Sequence, residues 1–139
     1  MSAIRVAELN RLFKARYGEV LPDNEIGREC AVIIANHLIM LPGLPQKRLM
    51  DWAEHHAPWL NMEELAQLLA DAASRTQVWK ADSLAWRLRL TYADRQALKI
   101  TTIGAIDCNK AERAKIRKAA SKARTKRHRD AQKTPAYAP

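Results

Sequence analysis

Four histidines, two cysteines and one dense run of cations are the residues whose chemistry merits testing first. His55 and His56 are adjacent, so a helix points them about 100° apart. Neither has a His, Cys or carboxylate at the spacing of a known metal motif, and Glu54 beside them does not complete H-E-x-x-H. His37 lies in an apolar run and fits a satisfied core histidine. Cys30 and Cys108 are far apart and form no C-x-x-C, which points to reduced thiols in a reducing compartment and leaves a single disulfide as the alternative. No G-x-S-x-G, phosphate-binding glycine loop or Cys-His signature is present. Asp23, Glu25 and Glu29 gather where a helix begins, a place that favours carboxylates for its dipole alone. These residues predict no cofactor, no metal and no enzyme.

The cations point elsewhere. Between residues 110 and 133 lie eleven basic residues against Glu112 and Asp130, a surplus of nine that equals the net charge of the whole 139-residue chain. The other residues balance. A block of like charge repels itself until a polyanion neutralises it, and nucleic acid is the usual partner. Lys110, Arg113, Arg117, Lys118, Lys122, Arg124, Lys126, Arg127 and Arg129 are the candidate phosphate contacts, spaced all round a potential helix. Ile116 is the sole large apolar residue of the segment, so it is no core helix; a plain solubility tail is its other explanation.

The elements that must position this segment read as helices. Ser2 caps a first helix whose stripe is Ile4, Ala7, Leu9, Leu12 and Phe13, stopped at Gly18. A second helix, about 25–41, is apolar on most faces and should be central. Pro42 and Pro45 separate it from a third, ending near His56 with Leu49, Met50, Trp52 and Ala53 inward; Pro58 closes that one. Asn61 and Glu64 form a variant capping box for a fourth, to about residue 75. Charge through Trp79 is slightly acidic, which places no polyanion there. Residues 82–90 and 92–99 then form a helix-turn-helix-like pair, the second capped by Thr91, with Arg89 where a turn glycine is common and Arg95 where an apolar anchor is common. An ordinary αα-hairpin is the alternative. On this pair, Arg87, Arg89, Arg95, Gln96 and Lys99 are the candidate base-facing contacts, with Arg95 expected to stand exposed. Residues 100–107 are β-flavoured, either a miniature wing turning at Gly104-Ala105 or a buried loop. Asn109 and Glu112 cap the basic segment as a helix, and residues 134–139 are expected to be disordered.

Two stretches are similar to known sequences: Arg16-Tyr17-Gly18 through Leu21-Pro22-Asp23 to Gly27-Arg28, and Ala81-Asp82-Ser83-Leu84-Ala85 through Leu90-Thr91-Tyr92-Ala93-Asp94-Arg95 into residues 102–107 and 110–113. They resemble a family of short, largely uncharacterised bacterial proteins associated with mobile or accessory genes. The resemblance implies a bacterial accessory or regulatory role and carries over no functional residue.

The expectation is therefore a small all-α domain over residues 1–109, followed by a basic helix or tail over 110–139. Its partner should be nucleic acid, duplex DNA ahead of RNA, for transcriptional or replication control on a mobile element. A protein-interaction module such as an anti-activator, or an RNA- or ribosome-associated protein, is the alternative. With no long apolar run and no signal-peptide core, no membrane contact is expected and the cytoplasm is the expected compartment.

Overall fold

Caps and prolines divide the chain much as local chemistry dictates. In the computed structural model, which describes residues 2–74 and 78–133, the elements are α1 (Ser2–Tyr17), α2 (Glu25–Leu38), α3 (Pro45–His56), α4 (Met62–Ser74), α5 (Ala81–Leu88), α6 (Tyr92–Ala97) and α7 (Lys110–Lys133). No strand occurs among the described residues, so the fold is small and all-α. The tail expected to be disordered, 134–139, lies outside the described residues.

α2 is the central helix. Asn24 caps it through an Oδ1 that accepts from the Gly27 N–H, and α1, α3 and α4 all pack on it. Ala31, Ile33, Ile34, Ala35 and Leu38 are buried. It ends at Leu38, three residues before the expected 41. A continued helix would drive the Pro42 ring into the Leu38 carbonyl, so residues 39–41 tighten into turns instead, with the Leu41 N–H on the Leu38 carbonyl. In α3, Leu49, Trp52 and Ala53 face inward as expected, but Met50 is exposed. Gly18, at a positive φ, follows the end of α1.

α1 departs most from its expected stripe. Ile4 and Ala7 face solvent, and their places in the interior are taken by Arg5 and Glu8, both almost fully buried beside Leu9, Leu12 and Phe13. Both carboxylate oxygens of Glu8 are occupied. One accepts from the Thr101 N–H and, at 3.4 Å, its hydroxyl; the other accepts from the Thr102 N–H at 2.9 Å and its hydroxyl. One turn earlier Arg5 donates to the Trp79 carbonyl at 2.6 Å and the Thr102 carbonyl at 2.8 Å. Residues 98–109 therefore form a loop in which the Glu8 side chain satisfies the N–H groups of Thr101 and Thr102, while main-chain carbonyls accept from residues 98–100, 104 and 106.

This corrects the wing alternative. Gly104 makes no hairpin; its N–H donates to the Ala81 carbonyl at 3.0 Å, and a Cβ there would come within 1.9 Å of Asp82 Oδ1. Close approach, not turn geometry, demands glycine. α5 and α6 join through Arg89 in the left-handed region (φ 51), and two residues after α6 the chain passes through Lys99, also at a positive φ (55). α6 has six residues, so it is short for a groove-reading helix. The boundary at residue 109 also moves. Arg113, on α7, is buried and donates to Asp82 at 2.9 Å and the Cys108 carbonyl at 2.8 Å, which makes the first turn of α7 part of the body. Cys30 and Cys108 are free and buried.

Truncating Glu8 strands two partly buried main-chain donors and leaves Arg5 without its counter-charge. Glu8→Ala should lower stability by about 3–5 kcal/mol in denaturant unfolding; a loss within the error of the fit would show that the loop holds itself. A pH effect follows from His37, which donates from Nδ1 to the Ile33 carbonyl at 2.7 Å and is buried with no partner for Nε2 among the described residues. Burial first, and the Arg5 charge in addition, hold its pKa below the ordinary 6.5. As pH falls below 6.5 the unfolded chain takes up the proton before the folded one, so stability should drop there. His37→Leu should flatten that fall, measured as melting temperature against pH.

Candidate nucleic-acid interface

Charge on α7 is displayed because, beyond its first turn, no other described element covers it. Asn109 Oδ1 accepts from the Glu112 N–H at 2.9 Å and starts the helix. After Arg113 and the half-buried Ala114, every described residue through Gln132 is exposed, including Ile116. Alanines at 119, 120 and 123 favour the helical state without needing a partner surface. At 100° per residue, Lys115, Lys118, Lys122, Lys126 and Arg129 share one face over about 21 Å. Arg117 and Arg124 lie on the opposite side. The predicted phosphate contacts thus stand in two rows rather than in an even ring. Arg113 is removed from that set, because its guanidinium is engaged by Asp82 and the Cys108 carbonyl inside the body.

The expected base-facing residues separate in the structure. Arg95 does not stand exposed. Its Nε donates to the Ile103 carbonyl at 2.7 Å and a terminal nitrogen to the Thr101 carbonyl at 3.1 Å, while the other reaches Gln96 Oε1 at 3.2 Å. Arg95 is thus a clamp on the 101–103 loop, and Gln96 is its side-chain acceptor. Burial, followed by the nearby Arg113 charge and more weakly by Arg117, pushes the Arg95 guanidinium down from its usual pKa. Arg87 stays at the surface and pairs with Glu29 of α2 at 2.6 Å. Arg89 and Lys99 are exposed at the two positive-φ positions that follow α5 and α6.

The same use of arginine recurs in the body. Arg16 donates to the Leu88 and Arg89 carbonyls at 2.5 and 3.2 Å, and Arg11 to the Leu98 carbonyl at 3.1 Å. They tie the exposed C-terminal carbonyls of α5 and α6 to α1, where helix ends lack internal donors. A further surface residue escaped the sequence analysis: Trp86 is 67% exposed on the outer face of α5. Its signal was available, since it falls off the 84–85–88 stripe that faces inward.

Other chemistry is thin. Burial, and Glu29 beside it, raise the Cys30 thiol to about 11, which suppresses the thiolate and its nucleophilicity. Among the described residues no three His, Cys, Asp or Glu side chains gather in a way that could hold a metal ion. No helix of the described residues is long and apolar enough to cross a membrane. Comparison with protein-family models, curated proteins and solved structures finds no match.

Arg95→Ala should act on the fold. Loss of its carbonyl bonds should cost about 1–2 kcal/mol of stability, with nucleic-acid affinity of the folded protein unchanged. Reduced affinity at unchanged stability would return Arg95 to the binding surface.

Proposed function

We propose that the chain binds nucleic acid through α7, duplex DNA ahead of RNA, in a regulatory or accessory role on a bacterial mobile element. One observation carries the binding class: the entire surplus charge of the protein sits on a helix that is solvent-exposed beyond its second turn and has almost nothing apolar to bury. Lys and Arg in such rows meet phosphates and position a duplex without reading its sequence. With Arg95 and Gln96 engaged in the loop, Arg87, Arg89 and Lys99 are the remaining candidates of the α5–α6 pair for base contact.

A specific feature favours a second function, docking of a protein partner. Leu44, Met50, Ile39, Leu69 and Ala73 line an open groove of about 540 Å³ between α3 and α4, and Leu44 is 72% exposed. Under that reading the molecule is an interaction module of the anti-activator kind and α7 serves solubility or localisation.

Salt dependence separates the two. If roughly five phosphates are neutralised, log K on duplex DNA should fall against log salt with a slope of about −4 to −5. Replacing Arg124, Lys126, Arg127 and Arg129 with Gln should flatten the slope on every sequence tested, because phosphate contacts are common to all. Unchanged affinity and slope in that variant would remove α7 from the binding surface and favour the protein-docking function.

A further inference from the structure

Trp86 is a large apolar side chain that packing leaves unexplained. Leu84, Ala85 and Leu88 carry α5 into the core, and the helical period turns Trp86 outward to 67% exposure. Trp52, in contrast, is 7% exposed and its indole N–H is satisfied by Asn10 at 3.0 Å. An indole left in water forgoes the burial that any inward position would supply.

Its surroundings are cationic. Arg87 follows it directly and Arg89 stands three residues on, held at the surface by the left-handed end of α5. Arg16 of α1 reaches the same turn by bonding the Leu88 and Arg89 carbonyls. These three arginines line a pocket of about 530 Å³ among α1, α2 and α5 together with Phe13, Ile33, Leu88 and Glu29, and Trp86 lies outside that lining, on the outer side of α5. Two carboxylates are close. Asp82, one turn before Trp86, is already bonded to Arg113. Glu29 holds Arg87, but that pair is about half exposed on both sides, and a pair in such contact with water is weak enough for a phosphate to displace.

An aromatic plane in water beside surface guanidinium groups, Arg87 in an exposed ion pair and Arg89 at the surface, matches the chemistry of a nucleobase with its phosphates: the base stacks and the cations follow the backbone. Bases inside a duplex have both faces covered by their neighbours, so only unpaired nucleotides can use the indole. We infer that the outer face of α5 is a stacking site for an unpaired nucleobase, with Trp86 against the base and Arg87 and Arg89 on the adjoining phosphates. The site rests on the nucleic-acid-binding function proposed above and extends it: the preferred ligand carries an unpaired stretch beside the part that α7 holds.

The test uses the full chain and four probes at one salt concentration: oligo-dT, oligo-rU, a DNA duplex of the same length, and inorganic polyphosphate. Trp86→Ala should weaken binding to the single strands by roughly five- to tenfold while leaving duplex and polyphosphate affinity unchanged. Trp86→Phe should restore most of the loss, and tryptophan emission quenched by oligo-dT in the parent chain should not be quenched in Trp86→Ala. The dT and rU arms show whether DNA, RNA or both supply the base. Because Trp86 is exposed, circular dichroism of both variants should match the parent. Equal affinities of parent and Trp86→Ala for every probe, or an equal loss on single strand and duplex, would overturn the stacking site while leaving α7 binding intact. Failure of the parent chain to bind any of the probes would overturn both.

Discussion

A buried carboxylate, Glu8, holds the C-terminal half of the body in place. Residues 98–109 form no strand or helix. Carbonyls of α5 and α6 take the N–H groups of residues 98–100 and 104, but those of Thr101 and Thr102 need another acceptor. An unpaired N–H away from water is costly. Glu8 supplies the acceptor for two successive N–H groups and two hydroxyls, and Arg5 one turn away supplies donors to the Trp79 and Thr102 carbonyls. Opposite charges on one face of α1 thus serve both polarities of the same loop. A buried pair of this kind contributes less to net stability than its Coulomb attraction suggests, because both groups lose hydration. The Glu8 bonds to Thr101 and Thr102 fix where the loop meets α1 in this fold.

The other arginines of the body extend that arrangement. Arg11 and Arg16 reach from α1 to the carbonyl ends of α6 and α5, Arg95 reaches from α6 to the loop, and Arg113 reaches back from α7 to Cys108. Guanidinium suits the task, since several donors in a rigid fork can span two carbonyls. These side chains hold short helices together where apolar area is small: α6 has no buried residue at all. Their charges therefore belong to the architecture, and exposed cations are most densely gathered on α7, with Arg89 and Lys99 among those elsewhere.

This division explains how a charge-balanced body and a strongly cationic helix coexist in one chain. Arg113 anchors α7 at its first turn, and Asn109 fixes its start. Beyond that point the helix gains its stability from alanine, lysine and arginine propensity, while repulsion among its own cations opposes it. A polyanion would remove that repulsion, so binding and helix stability are coupled in the same direction.

Much of the fold was legible from residue order because its signals are local. Asn24, Asn61, Thr91 and Asn109 each accept from an N–H three residues on, and Pro42 and Pro58 act on their immediate neighbours, so the helices and their approximate ends followed from short windows. The charge surplus of residues 110–133 is likewise a property of composition. Sidedness was harder. In α1, counting apolar residues favoured Ile4 and Ala7, whereas the structure keeps the 5–8–9–12–13 stripe and fills two of its places with Arg5 and Glu8. The tertiary structure alone decided which arginines face carbonyls and which face water, because those contacts join residues up to 97 apart and an arginine on a helix looks the same in sequence either way. It also decided that Gly104 serves close packing against Asp82 and that Trp86 is left outside, since both depend on which chain segment, if any, arrives at that point in space.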